Sequence, residues 1–326
     1  MSENATIGAA GTLTIGGPVS LAANNVSITG NGNIVVLGTV TGAGSINKNG
    51  SGTLTLAGTI NSTGGTNINQ GLVKVLTDES LGAAGSGYQT VVNSGATLEL
   101  VSNVGINSDN ILLIAGSGVA QAGVLHATFS DNSLSGMISM MGSASVNINS
   151  GSSLALGAIG ELDLGLDLTK NGPGILRLLG ANTYTGTLIV NQGTVSINSD
   201  NRFGGLSGLS LAAGTTLDLN DFSESLGDLS GVGTISYGPI GGGVLTVGAK
   251  GTNTTFSGSI IGTGDFVKTG AGTFTLGVSN LIPATSSVSI EGGTLNIGAT
   301  TQSTGRSLSV AHFPERPAAL PPRPLN

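Results

Sequence analysis

Acidic side chains are the residues of this sequence whose clustering could support catalysis. They occur in two stretches, "ELDLGLDL" (161–168) and "DLNDFSESLGD" (218–228). Two carboxyl groups can cleave a glycosidic bond together when they lie within about 9.5 Å of each other. The first stretch alternates apolar and polar residues, which predicts one strand with Asp163 and Asp167 about 13 Å apart. That separation is too large for a catalytic pair.

The acids of the second stretch form a loop-like patch for which we expect no basic partner nearby. A polysaccharide-cleaving enzyme would need a convergent acidic and basic groove, and no such set is visible. We therefore interpret this group as solvated side chains on a polar face: Asp218, Asp221, Glu224 and Asp228.

Other catalytic and binding sets are not visible either. Cysteine is absent, which excludes disulfides and thiolate metal sites. The two histidines, His126 and His312, are far apart in sequence, and we interpret His126 in "VLHATFS" as a strand residue. There is no nucleophile elbow and no phosphate-binding glycine loop. The sequence predicts no enzyme, and no catalytic, cofactor-binding or metal-binding residue.

Three long similar stretches show that the chain is repetitive. "KNGSGTLTLAGTINSTGGTNINQGLVKV" begins at Lys48, "KNGPGILRLLGANTYTGTLIVNQGTVSI" at Lys170, and "KTGAGTFTLGVSNLIPATSSVSIEGGTLNI" at Lys268. The recurring lysines could suggest a ligand, but duplication explains them, with each lysine projecting from an equivalent turn. Substitution of Lys170 should then change stability little. Tyr184 is interpreted as an aromatic residue packed in a turn.

Apolar and polar residues alternate along most of the chain, both within and between these repeats, and glycines begin the turns. This pattern favours short strands over helices. Gly95, Gly151, Gly193 and Gly214 hold the same phase, as expected where the backbone needs a positive φ. Repeated units that bury their inner faces against neighbours indicate a solenoid. The predicted inner positions are Leu54, Leu56, Val73, Val75, Leu98, Leu100, Leu176, Leu178, Val195, Ile197, Leu217, Leu219, Phe274, Leu276, Leu295 and Ile297.

Composition limits the partners. Only 8% of residues are charged and the net charge is −7. No basic run with interleaved aromatic residues occurs, so nucleic-acid binding is not expected. No apolar run is long enough for a transmembrane helix, and no signal peptide is visible. The surface must consist mostly of Thr, Ser, Asn and Gly.

The stretches at 50–75 and 172–197 resemble the autotransporter passenger-associated β-strand repeat, most closely at "GANTYTG" (180–186). "LSLAAGTTLDLNDFSESLGDLSGVGTI" (209–235) resembles the segment that follows this repeat in such passengers. The resemblance implies a right-handed parallel β-helix, a β-solenoid, which at roughly 20–25 residues per turn would have about 12–15 turns. It also implies a signal and a C-terminal outer-membrane barrel in the full-length protein.

We therefore expect residues 1–305 to be a passenger fragment, with repeat blocks opening near residues 48, 170 and 268. Residues 306–326 hold five of the nine prolines and should not continue the strands. The expected function is adhesion or cell–cell aggregation at the bacterial surface. Its partners would be further copies of the chain, or a surface glycan or protein. A polysaccharide-active β-helix enzyme and a passive stalk are the alternatives.

Overall fold

The computed structural model describes residues 3–81, 89–101, 103–106, 111–205, 207–277 and 287–298. The proline-rich stretch 306–326 lies outside the described residues. Within them the chain forms 36 strands and one short 3₁₀ helix, Val119–Gln121. All pairings between these strands are parallel, as the first pairs β1–β4 and β2–β5 illustrate.

The largest sheet has 21 strands. They are β1 (Ala5–Ala9), β2 (Thr12–Ile15), β4 (Val26–Gly30), β5 (Asn33–Val36), β7 (Ile46–Lys48), β8 (Thr53–Leu56), β10 (Thr66–Ile68), β11 (Gly71–Val75), β12 (Gln89–Val92), β13 (Ala96–Val101), β15 (Ile111–Gly116), β16 (Leu125–Phe129), β18 (Ile138–Ile148), β20 (Ile159–Glu161), β21 (Leu168–Asn171), β23 (Thr187–Val190), β25 (Gly208–Leu211), β28 (Asp228–Gly231), β31 (Thr254–Phe256), β34 (Thr273–Leu276) and β36 (Thr294–Ile297).

Three smaller sheets hold the other strands. The eight-stranded sheet contains β14 (Gly105–Ile106), β17 (Asp131–Leu134), β19 (Ser153–Leu156), β22 (Ile175–Leu178), β24 (Thr194–Ile197), β26 (Thr216–Asp218), β29 (Thr234–Ser236) and β32 (Ser259–Ile261). The four-stranded sheet contains β27 (Glu224–Leu226), β30 (Gly243–Val247), β33 (Gly264–Lys268) and β35 (Val288–Ile290). The three-stranded sheet contains β3 (Val19–Ser20), β6 (Val40–Gly42) and β9 (Ile60–Ser62).

Most strands pair with a strand one turn later, so the chain winds as a parallel β-solenoid of about 13 turns. Strand β18 has 11 residues; its first half pairs with β15 and β20, and its second half with β16 and β21. One strand therefore belongs to two sides of the rod. The spacing of about 4.8 Å between stacked strands gives a length of about 60 Å. The predicted solenoid is confirmed.

In-register pairing turns the period-two sequence pattern into columns along the rod. Leu54, Val73 and Leu98 are aligned on β8, β11 and β13, and all three are buried. The next residues along these strands face outward because successive side chains alternate sides. Among these, Lys74 and Glu99 are aligned and form an ion pair of 3.3 Å.

The core is one continuous column of Leu, Ile and Val, and the predicted inner positions lie in it with two corrections. Leu295 is only partly buried, and Ile297 is 46% exposed. Both lie on β36, the last strand among the described residues, and no later described turn covers it. Gly95, Gly151, Gly193 and Gly214 have φ of 85°, 73°, 75° and 75°, as predicted.

Candidate functional site

The outer surface of the rod carries ladders of amide side chains. The Nδ2 of Asn93 donates to the Oδ1 of Asn69 at 2.7 Å, and Asn69 donates to Asn49 at 2.7 Å. Asn49 continues the ladder to the hydroxyl of Ser27 at 2.8 Å. The ladder exists because equivalent positions of successive turns are stacked directly over one another. It fixes the orientation of exposed hydrogen-bonding groups without any charge.

Hydroxyl groups form a similar column on the eight-stranded sheet. Register aligns Thr194, Thr216, Thr234 and Ser259 on β24, β26, β29 and β32. Their strand neighbours Val195, Leu217 and Ile235 are buried, so the column faces outward. This side of the rod therefore offers a flat row of groups that can both donate and accept hydrogen bonds.

The three repeated lysines do not project into solvent, which corrects the sequence-based expectation. Lys48, Lys170 and Lys268 are 1%, 0% and 1% exposed. Each occupies an inward-facing strand position: Lys48, for example, is aligned with Ile28 and Ile68. The alternation contained this signal, because Lys48 lies two residues after the inward-facing Ile46.

The ammonium group of Lys170 is held by backbone carbonyls at the corner between β21 and β22. Its Nζ donates to the carbonyl oxygens of Asn171 at 3.2 Å and Gly172 at 2.6 Å. A third bond of 2.9 Å reaches the carbonyl of Gln192 in the following turn. A protonated lysine has three donors and no acceptor, so this corner satisfies it completely.

The other two lysines repeat this arrangement. The acceptors of Lys268 are the carbonyls of Thr269, Gly270 at 2.9 Å and Gly292 at 3.1 Å. The acceptors of Lys48 are the carbonyls of Gly50 and, at 3.0 Å, Gln70. In each case one acceptor belongs to the next turn. We call each such lysine with its carbonyl acceptors a lysine corner.

A glycine in the following turn completes each lysine corner. Gly71 has φ of 78°, and a Cβ there would lie 2.7 Å from the Nζ of Lys48 and 2.5 Å from the carbonyl oxygen of Gly50. Larger residues therefore cannot occupy this position without displacing the ammonium group. Burial lowers the pKa of Lys48 and of Lys170 to about 8. The lysine corners are structural elements of the interior.

Glu224 also departs from its predicted place among solvated acids. Its side chain is 1% exposed, and its carboxylate accepts the backbone N–H groups of Arg202 at 2.6 Å, Phe203 at 3.2 Å and Ser225 at 3.0 Å. Burial raises the pKa of Glu224, while these bonds oppose the rise. Glu224 faces inward because it shares the phase of Leu226 on β27. Its carboxylate links two turns.

The neighbouring acids likewise bind backbone or a basic partner. The carboxylate of Asp221 accepts the N–H of Gly241 at 2.6 Å and of Ile240 at 3.1 Å. Asp228 lies 4.0 Å from Lys250, so the expectation of no basic partner was wrong for this residue. These contacts hold loops together and do not converge on one point.

The stretch at 161–168 is a loop and not the predicted strand. Only Glu161 and Leu168 belong to strands, while Leu162 and Leu164 are 64% and 87% exposed. Gly165 has φ of 83°, which turns the chain, and the carboxylate of Glu161 accepts the N–H of Leu166 at 2.9 Å. The alternating leucines therefore did not share a buried face.

His126 is a strand residue, as the sequence predicted, and Tyr184 packs in the interior but not in a turn. His126 is on β16, and its Nε2 lies 3.1 Å from the Oδ1 of Asn149 on the next turn. Tyr184 is buried in the irregular segment between β22 and β23, and burial raises the pKa of its hydroxyl. No group of three or more His, Asp or Glu side chains suited to a metal ion occurs within the described ranges.

A concave surface that no sequence pattern predicted lies on the side of the rod that carries β6, β9, β14, β17, β19 and β22. Two adjoining hollows of about 540 and 320 Å³ share Asp78 as a lining residue. We call them together the polar groove. Its polar lining residues include Thr39, Thr59, Asp78, Glu79, Asp131 and Arg177. These residues are widely separated in sequence, and only the winding of the solenoid brings them to one side.

Comparison with known proteins agrees with the repeats and the fold. The family described as "Passenger-associated-transport-repeat" matches residues 46–75, 168–197 and 266–297. These segments contain the three lysine corners, each with its lysine and the glycine of the following turn. The conspicuous lysine and glycine of each copy therefore have a physical role in the structure.

The chain is also similar to the protein "Adhesin BmaC autotransporter" of Brucella suis biovar 1 (strain 1330). The two are 33% identical over 197 residues, which cover 60% of this chain and 5% of that protein. The chain thus spans a small part of this curated relative's length.

No solved structure matched the chain. Among the described residues, no helix has the length and apolar character needed to cross a membrane. The chain therefore contains three passenger-associated transport repeats, and over 60% of its length it is similar to part of an autotransporter adhesin.

Proposed function

We propose that the chain forms part of a surface-displayed adhesive rod that binds through its outer face, in adhesion or cell–cell aggregation. The observation that carries the proposal is the long outer face of ordered, uncharged groups, with its asparagine ladder and its hydroxyl column. Such groups make many weak contacts, and repetition along a rod adds them into a strong total interaction. The similarity to a protein named as an adhesin supports the same function.

A non-enzymatic role is part of the proposal. The acids at 218–228 are engaged in backbone contacts or an ion pair, and Asp163 lies on the loop after β20. The polysaccharide-cleaving alternative would require two carboxyl groups at catalytic separation beside a bound chain. The passive-stalk alternative requires that the outer face bind nothing.

One experiment separates these functions. The full chain is displayed on bacterial cells by fusion to an autotransporter translocation domain, and settling is measured over a salt series. Cells that display the translocation domain alone are the control. We expect settling that moderate salt does not abolish, because the proposed contacts are largely uncharged.

The chain is also purified and incubated with acidic polysaccharides, and cleavage of the polysaccharides is measured. Dispersed cells with glycan cleavage would favour the enzyme, and dispersed cells without cleavage would favour the stalk.

The division of the chain at residue 305 is also a proposal. Its support is the change to proline-rich sequence after Gly305. Truncation after Gly305 should leave the thermal melting transition unchanged. A marked fall in melting temperature would show that residues 306–326 contribute to the folded rod.

A further inference from the structure

The polar groove contains three carboxylates that are each anchored by one oxygen atom. Asp78 Oδ1 accepts the N–H of Gly105 at 2.6 Å. Asp131 Oδ1 accepts the hydroxyl of Ser153 at 2.5 Å. Glu79 Oε2 accepts the hydroxyl of Thr59 at 2.7 Å.

In each of these carboxylates the second oxygen has no hydrogen-bond partner among the described residues. All three side chains belong to exposed residues. The groove therefore presents oriented acceptors whose position is already fixed before anything binds, which reduces the entropy cost of binding.

Donors and hydroxyls accompany these acceptors. The guanidinium of Arg177, at one end of the groove, is exposed and has no partner among the described residues. Thr39 and Thr77 add hydroxyl groups, and Leu37, which is 52% exposed, forms an apolar section of the wall with Ala57 and Gly58. Carboxylates, a guanidinium and hydroxyls beside small apolar patches are the groups that bind a polyhydroxylated molecule by hydrogen bonds.

The shape of the groove fits an extended chain molecule. Its lining comes from successive turns, from the turn of Thr39 to the turn of Arg177, which is about 30 Å along the rod at the spacing of stacked strands. A peptide recognised by strand addition needs an unpaired strand edge. Here β17 is paired with both β14 and β19, and β19 also with β22. The groove offers no such edge.

The charge of the polar groove further limits the class of ligand that it can bind. Three carboxylates and one guanidinium give the groove a net negative charge. An acidic polysaccharide would be repelled, whereas hydroxyl groups donate readily to carboxylate oxygens in charge-assisted bonds. We propose that the polar groove binds an uncharged glycan chain along the axis of the rod. This inference rests on the proposed adhesive function and names the class of ligand.

The test uses the purified full chain and fluorescently labelled neutral hexasaccharides of glucose and of N-acetylglucosamine, with binding measured by fluorescence anisotropy. Polygalacturonate and polylysine are the charged comparisons. The variant Asp78→Asn/Asp131→Asn keeps the anchoring acceptors but replaces each free carboxylate oxygen with an amide donor. The matched control is Asp265→Asn, because Asp265 is exposed, is also anchored through one oxygen, to Ser287, and does not line the groove.

We expect at least one neutral hexasaccharide to bind, with affinity about tenfold weaker in the double variant, the loss typical of a charge-assisted hydrogen bond, and unchanged in Asp265→Asn. The inference would be overturned if no neutral hexasaccharide bound, or if only polylysine bound. It would also be overturned if Asp265→Asn weakened hexasaccharide binding as much as the double variant does. Cells that settle while the purified chain binds no glycan would refute the glycan groove and leave the adhesive function standing. If the purified chain binds a glycan but the cells that display it stay dispersed, the glycan groove would stand and the adhesive function would be refuted.

Discussion

The ammonium nitrogen of Lys170 lies 2.9 Å from the carbonyl oxygen of Gln192, and the two residues belong to consecutive turns of the solenoid. The bond runs alongside the strand pairing between β21 and β23. The same relationship joins Lys48 to Gln70 and Lys268 to Gly292. In each repeat a core position is thus occupied by a cation that ties one turn to the next.

Lys170→Met should lower stability markedly, although the sequence alone predicted little effect. The substitution preserves the aliphatic stem but leaves three carbonyl acceptors without a donor, and each unsatisfied buried group costs about 1–3 kcal/mol. We expect a loss of several kcal/mol in the free energy of unfolding, measured by denaturant titration with circular dichroism. Lys250→Met, which removes only the 4.0 Å ion pair between Asp228 and the exposed Lys250, should change it by no more than about 1 kcal/mol. Equal losses would show that the lysine corner is not a special contact.

Gly193→Ala should destabilise the rod more than Gly151→Ala. Both glycines have a positive φ, of 75° and 73°, so both substitutions carry the same backbone strain of about 1 kcal/mol. A Cβ at Gly193 would lie 2.4 Å from the carbonyl oxygen of Gly174, whereas nothing lies within 4 Å of one at Gly151. The difference between their melting temperatures measures the steric contact alone. Identical melting temperatures would contradict the close approach of the two turns.

Leu98→Asp should unfold part of the rod, and Leu164→Asp should be nearly neutral. Leu98 is 0% exposed in the core column, where an unpaired charge is severely unfavourable. Leu164 lies on the loop after β20 and is 87% exposed, so its change should stay within about 0.5 kcal/mol. Limited proteolysis would detect the opened turns in the first variant. Resistance of Leu98→Asp to protease would mean that the core assignment is wrong.

Stability should rise with pH between about 8 and 9.5. The pKa of Lys170 is about 8 in the folded chain, against an ordinary value of 10.5, and the same holds for Lys48. Between these values the unfolded chain binds more protons, so the free energy of unfolding increases as pH increases. Well below pH 8 both states are protonated and no slope is expected from these groups.

The measurement is a series of thermal melts from pH 7 to 9.5. The upper limit avoids the opposing effect of Tyr184 and Tyr237, whose pKa values are raised by burial and whose contribution to stability falls above pH 10. Lys170→Met should show a smaller rise with pH than the unsubstituted chain. A melting temperature that falls over this range would contradict the assignment.

Alternation predicted the core because, in stacked parallel strands, phase alone decides which side a residue faces. It placed Leu54, Val73 and Leu98 correctly. The same rule would have placed Lys48 and Glu224 inside, had charge not argued for solvent. Their backbone acceptors and donors come from neighbouring turns and from corners, and nothing in the local sequence reveals those partners.

The prediction of a strand at 161–168 failed for the opposite reason. Leu162, Leu164 and Leu166 alternate cleanly, but Gly165 adopts a positive φ and the carboxylate of Glu161 ties the chain back. The polar groove could not be predicted at all. Asp78, Asp131 and Arg177 are brought together only by the number of residues in each intervening turn, which differs from one turn to the next.

The direction of the strand pairing also determines how the rod carries mechanical load. Hydrogen bonds between turns lie nearly parallel to the axis, so tension applied to the two ends of the rod pulls on every turn-to-turn interface in series. The interface that ruptures first is then the weakest one, and lengthening proceeds in steps of one or a few turns. The lysine corners add hydrogen bonds between turns at three of these interfaces. Single-molecule pulling should therefore show the steps that separate these turns at higher force, and Lys170→Met should lower the force of one of them.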